Sequence, residues 1–80
     1  MSDEVMTTLV KIKLNTIDDV KKFCTICGAL GCETALRGGT YRVNAASILG
    51  VISLNLSEAV TLEIQDGTYI KYFTEWLCDE

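Results

Sequence analysis

Between Thr8 and Leu30 the spacing of apolar residues switches from two to nearly four, and that switch constrains the architecture more than any other feature of the chain. In "TLVKIKL" (8–14), Val10, Ile12 and Leu14 share one side and Lys11 and Lys13 the other, which predicts a half-buried strand. In "NTIDDVKKFCTICGAL" (15–30), Ile17, Val20, Phe23 with Cys24, Cys27 and Leu30 recur at helical spacing. Thr16 is a suitable N-cap, and Asp19 three residues later makes an approximate capping box. Asp18 and Asp19 also match the positive end of a helix. Gly28 or Gly31 is the expected stop.

The rest of the chain repeats these two periods. "CETALR" and "TYRVN" flank Gly38-Gly39, a two-residue turn that accommodates the positive φ a tight hairpin needs. In "AVTLEIQ" (59–65), Val60, Leu62 and Ile64 alternate with Thr61, Glu63 and Gln65. "TYIKYFTEWLC" (68–78) places Ile70, Phe73 and Leu77 on one helical face, with Asp66 or Thr68 as cap. With a short apolar helix after Ser47, the order is β-α-β-β-α-β-α in one domain, residues 1–80. The expected class is α+β, with three helices on one face of a four-stranded, mainly antiparallel sheet.

Composition narrows the function. The formal net charge is −4, which disfavours nucleic acid as a general partner because phosphate is repelled. The chain has no histidine, so the commonest proton carrier near neutral pH and the commonest nitrogen ligand for metals are both missing. Most enzyme classes become poor fits, and no enzyme activity and no cofactor are expected. No apolar run reaches membrane-spanning length, and "MSDEVMTT" has neither a basic n-region nor an apolar h-region. The expected setting is cytoplasmic, without membrane attachment, where four cysteines stay reduced.

"NAASILGVISLNL" (44–56) is the segment with most to say about function. Ser47 directly precedes Ile48, Leu49, Val51, Ile52 and Leu54, and its side-chain oxygen can accept from a first-turn amide. On a helical period Val51 and Leu54 point inward together, while Ile48, Leu49 and Ile52 cluster on an adjoining face. A short helix does not readily bury both sides, and an exposed apolar patch on a globular protein suggests a docking surface. The competing reading buries all five in the core and leaves Ser47 as a cap alone. Periodicity in so short a run leaves both open.

"VNAASILGVISLNLSEAVTLEI", preceded by "ETALRGGTYRV", resembles the second half of HPr, the histidine-containing phosphocarrier protein of the bacterial phosphotransferase system. The family pattern Ser-Ile-Met-Gly-Val-Met-Ser-Leu appears here as Ser47-Ile48-Leu49-Gly50-Val51-Ile52-Ser53-Leu54. The element order extends the likeness to nearly the whole chain and implies an open-faced β-sandwich. By that resemblance Ser47 corresponds to the serine phosphorylated by HPr kinase/phosphorylase. Ile48, Leu49 and Ile52 correspond to the apolar patch that docks protein partners, a transcriptional regulator among them. A phosphate at an N-cap faces free amides and the positive end of the helix, and brings a charge of about −1.5 to −2.

The first helix departs from the family. HPr carries phosphate on a histidine there, within a segment like Gly-Leu-His-Ala-Arg-Pro-Ala, and this chain has "KLNTIDDVKKF". Asn15 or Thr16 falls near the place of the histidine, Ile17 near that of the arginine, and the proline is missing. Asn15 has no nucleophilic ring nitrogen, and Asp18 and Asp19 would repel an incoming phosphoryl group. What remains resembles the regulatory branch of the family, the catabolite-repression HPr type, which lacks the histidine and keeps the serine.

Cys24, Cys27, Cys32 and Cys78 are not explained by the resemblance. "CTIC" has redox-motif spacing, and all four could form a thiolate metal site. However, the pair lies in the C-terminal part of its helix, where the dipole does not favour a thiolate, and on the apolar stripe. Buried packing thiols are therefore the expectation, with a small thiol redox or metal-binding module using Cys24 and Cys27 as the alternative function. Tyr69, Tyr72, Phe73 and Trp76 read as core plus an amphipathic rim, and Lys21-Lys22 as a small basic spot. A structural rival keeps the same element order but winds it as a ferredoxin-like domain binding a small effector; strand order decides between them.

Overall fold

The computed structural model describes residues 7–78; most of the opening "MSDEVMTT" lies outside them. The elements are β1 (Thr8–Ile12), α1 (Ile17–Ala29), β2 (Thr34–Gly38), β3 (Tyr41–Asn44), α2 (Ile48–Ile52), β4 (Val60–Ile64) and α3 (Gly67–Trp76). The sheet runs β1-β4-β2-β3 with every neighbouring pair antiparallel. A ferredoxin-like winding would put the third strand between the first and second, whereas here β4 occupies that place. The structural rival is thereby excluded, and the α+β, open-faced arrangement is the one observed.

Period-two alternation decides which side of the sheet the helices cover. Ile12, Leu36, Leu62 and Ile64 face the helices and are fully buried, with Val10 and Val43 packed beside them. Val20, Phe23, Cys24 and Cys27 of α1 close over this face, and Val51 and Leu54 extend the layer at α2. Phe23 stands at the centre, with Phe73 at 5.4 Å and Trp76 edge-on at 5.8 Å between ring centroids. Every edge of that aromatic cluster comes from α1 or α3, which ties the last helix to the first.

Four local expectations require correction. The hairpin loop is Gly39-Thr40, not Gly38-Gly39: Gly38 pairs with Tyr41 as the last β2 residue, and Gly39 alone has positive φ, 61°. Helix α1 ends at Ala29, with the Leu30 amide bonded back to the Ile26 and Cys27 carbonyls, so neither glycine is its stop. Ile17 is exposed rather than part of the buried stripe, because it opens the helix beyond the edge of the core. The fourth correction concerns winding.

Helix α3 is a 3₁₀ helix throughout, with Asp66 as its cap. Three residues per turn line up Ile70, Phe73 and Trp76, so Trp76 takes the inward position that a 3.6-residue period gives to Leu77. Leu77 instead leaves the helix, bridges to Ile12 and stays partly exposed. The Lys13 amide donates to the Trp76 carbonyl, and the Cys78 amide donates to the Lys11 carbonyl. The chain after α3 thus covers the inner half of the β1 edge that would otherwise be unpaired.

Candidate docking surface beside Ser47

The chain reaches α2 through a tight, hydrogen-bonded approach from β3. Asn44 accepts from the Ala46 amide through Oδ1 at 2.8 Å, and its carbonyl accepts from the Ser47 amide at 3.0 Å. That Asx turn aims Ser47 as the N-cap of α2. Ser47 Oγ accepts from the Gly50 amide at 3.2 Å, while its carbonyl takes the Val51 amide at 2.9 Å. Gly50 allows the approach, since a Cβ there would stand 3.2 Å from Val43 Cβ and 3.3 Å from Ser47 Oγ. Ser53, at the other end, closes the short helix by donating through Oγ to the Gly50 carbonyl at 2.6 Å.

The two faces of α2 then separate cleanly. Val51 is fully buried and Leu54 nearly so, but Ile48, Leu49 and Ile52 expose 42%, 82% and 43% of their surface. The reading in which all five are core is overturned: five helical residues flanked by turns cannot turn both sides to one sheet. The ridge also lies in a stretch without charge, since no Asp, Glu, Lys or Arg occurs from Val43 to Ser57. The exposed Ser47 hydroxyl borders that uncharged surface.

The start of α1 is where the resemblance places Asn15 near the missing histidine. Asn15 is exposed; its Oδ1 accepts from Lys13 Nζ at 3.1 Å and its amide donates to Asp19 Oδ2 at 3.2 Å. Thr16 Oγ1 accepts from the Asp19 amide at 3.0 Å, so the capping box closes one residue early, on Asn15. Partial desolvation pushes the Asp19 carboxyl up, but the Trp76 indole, the Asn15 and Thr16 amides and the Thr16 hydroxyl together hold it below its ordinary value. A hollow of about 320 Å³ lies against Lys13, Asn15, Thr16, Ile17 and Leu56. The Asn15 amide there is engaged by the Asp19 carboxylate, whose negative charge opposes a second anion at this helix start.

The thiols divide into two kinds. Cys24 and Cys27 are buried; burial pushes both up, Cys27 to about 12 despite an opposing contact with Thr34. Cys32 and Cys78 are only half-buried, and Cys32 borders a cleft of about 730 Å³. All four are free thiols, and among the described residues no three His, Cys, Asp or Glu side chains come together as a metal site. An arrangement that sequence reading missed is the Glu63 carboxylate. Nearly buried on the helix-free face, it accepts from Arg42 Nε at 2.9 Å and forms an ion pair with Arg37 Nη2 at 2.8 Å. The hairpin could have set Arg37 opposite Arg42, but placing them near Glu63 takes the adjacency of β2 and β4, which the sequence pattern does not show.

The crystal structure of HPr-C-His from Thermoanaerobacter tengcongensis is similar to this chain, with a TM-score of 0.70 and 22% sequence identity over 88% of each chain. The fold is that of HPr. No protein-family model and no curated protein matches the sequence.

Proposed function

We propose that this chain is a non-catalytic, HPr-like regulatory protein of the phosphotransferase type, which works by docking partner proteins and does not carry phosphate on a histidine. The observation that carries the reading is the solvent-facing ridge of Ile48, Leu49 and Ile52 beside the exposed Ser47 hydroxyl, on an HPr fold. Ser47 is the proposed switch. Phosphate there would be the sole charge in the 43–57 stretch, adding about −1.5 to −2 where a partner presses on apolar side chains. The oxygen bonded to phosphorus keeps the place from which Ser47 now accepts the Gly50 amide.

The carrier role is disfavoured because Asn15 offers an amide in place of an imidazole, and its backbone N–H already donates to the Asp19 carboxylate beside the Thr16 cap. The thiol alternative is disfavoured because Cys24 and Cys27 are buried with raised pKa values, the opposite of an activated thiolate. Incubation with HPr kinase/phosphorylase and ATP tests the switch: one phosphate is expected on the wild-type chain and none on Ser47→Ala. Absence of incorporation under conditions that modify ordinary HPr would remove it. Enzyme I with phosphoenolpyruvate is expected to leave the chain unlabelled, and a stable label would reverse the reading of α1.

A further inference from the structure

The face of the sheet turned away from the helices is basic in a chain that is acidic as a whole. Register places Lys11 of β1 beside Thr61 of β4, Thr61 beside Arg37 of β2, and Arg37 beside Arg42 of β3. These four side chains form one row across the whole sheet, spanning about 14 Å at the usual strand spacing. Leu9, Glu63, Ala35 and Asn44 make the next row. In these two rows three cations, Lys11, Arg37 and Arg42, meet one carboxylate, Glu63, with Glu33 beyond them just before β2, although the formal net charge of the chain is −4.

Glu63 does not cancel the patch; it organises it. The carboxylate is 8% exposed, and each of its oxygens holds one arginine nitrogen, at 2.8 and 2.9 Å. A guanidinium has five N–H donors; Arg42 spends one on Glu63, and Arg37 pairs with it through one nitrogen. Both side chains remain more than half exposed, so the remaining donors point to solvent from anchored positions. Planar guanidinium forks match carboxylates bidentately, and anchoring lowers the entropy lost on binding.

We propose that this face, centred on Lys11, Arg37 and Arg42, docks a carboxylate-rich segment of a protein partner, separately from the α2 ridge. Charge complementarity selects an acidic occupant. The short span of the row and the acidic remainder of the chain disfavour duplex nucleic acid or an anionic membrane, which would bring many phosphates against Asp18, Asp19, Glu33 and Glu58 as well. Leu9, 61% exposed in the adjoining row, supplies the apolar contact expected of a protein interface.

The test is an NMR titration of the full chain with a hexaglutamate peptide at low ionic strength, with parallel arms using a duplex oligonucleotide and phosphatidylserine vesicles. Saturable amide shifts are expected at Leu9, Lys11, Arg37, Arg42 and Thr61, fading as salt is raised. The Arg37→Gln/Arg42→Gln variant is expected to bind at least about tenfold more weakly. Since that variant leaves Glu63 without partners and can lose stability, Lys11→Glu provides a second reading, expected to weaken binding several-fold at full stability. A Lys21→Gln/Lys22→Gln control is expected to bind as the wild type does. Shifts absent from the sheet face, an equal loss in the Lys21/Lys22 control, or stronger binding to the oligonucleotide or vesicles would overturn the proposal.

Discussion

Leu49→Ala and Val51→Ala, two residues apart on α2, are expected to differ sharply in stability. Val51 is fully buried, so truncation removes two methyl groups at about 0.8 kcal/mol each and leaves a hole beneath the helix. A cavity of roughly 50 Å³ adds about 1 kcal/mol, for a total of about 2–3 kcal/mol. In a domain this small that lowers Tm by about 10–20 °C and consumes a large part of a total stability on the order of 4–12 kcal/mol. Leu49 keeps 82% of its surface in solvent. Its truncation forfeits about a fifth of a burial worth about 1.5–3 kcal/mol, hence at most about 0.5 kcal/mol. Urea and thermal unfolding of both variants, followed by circular dichroism, give the comparison. Equal losses, or a Leu49→Ala loss above about 1.5 kcal/mol, would show that the ridge is packed in solution and refute the division of α2 into two faces.

Thiol counting with a disulfide reagent at pH 8 is expected to find Cys32 and Cys78 reacting first, with Cys24 and Cys27 protected until denaturant is added. Rapid labelling of Cys27 in the native chain would contradict its burial. The Asp66 carboxyl is held below its ordinary value by hydrogen bonds from the Thr68 amide and hydroxyl, outweighing slight desolvation. A depressed folded-state pKa stabilises the fold above the unfolded value near 3.8 and loses that contribution as pH falls through the lower, folded value. Asp66→Asn is therefore expected to flatten the fall in Tm below about pH 4, and an unchanged acid limb would show that this cap contributes nothing.

The fold was legible because its periods are clean. Alternation in residues 8–14 and 59–65, helical spacing in α1 and a two-residue turn between hydrogen-bonding strands suffice for the element order. The winding of α3 was not, since Ile70 and Phe73 suit both periods and only Trp76 against Leu77 separates them. What chose the 3₁₀ form is tertiary: Trp76 must reach Phe23 while its carbonyl takes the Lys13 amide. The ridge at Ile48, Leu49 and Ile52 could be suspected but not decided, because a five-residue helix carries too little periodicity to tell a buried side from a free one. The Arg37–Glu63–Arg42 cluster depends on strand order, and adjacency of β2 and β4 is written in no local pattern. Register of the hairpin needed the one-residue shift of its turn before the two arginines could be set opposite each other.

Regulation through the ridge beside Ser47 is tested most directly by NMR titration of the chain with HPr kinase/phosphorylase in the absence of ATP. Shifts or broadening are expected at Ser47, Ile48, Leu49 and Ile52, with Leu49→Ala weakening the complex by at least about tenfold while leaving the fold intact. Binding that leaves these four amides unmoved, or that Leu49→Ala does not weaken, would contradict it.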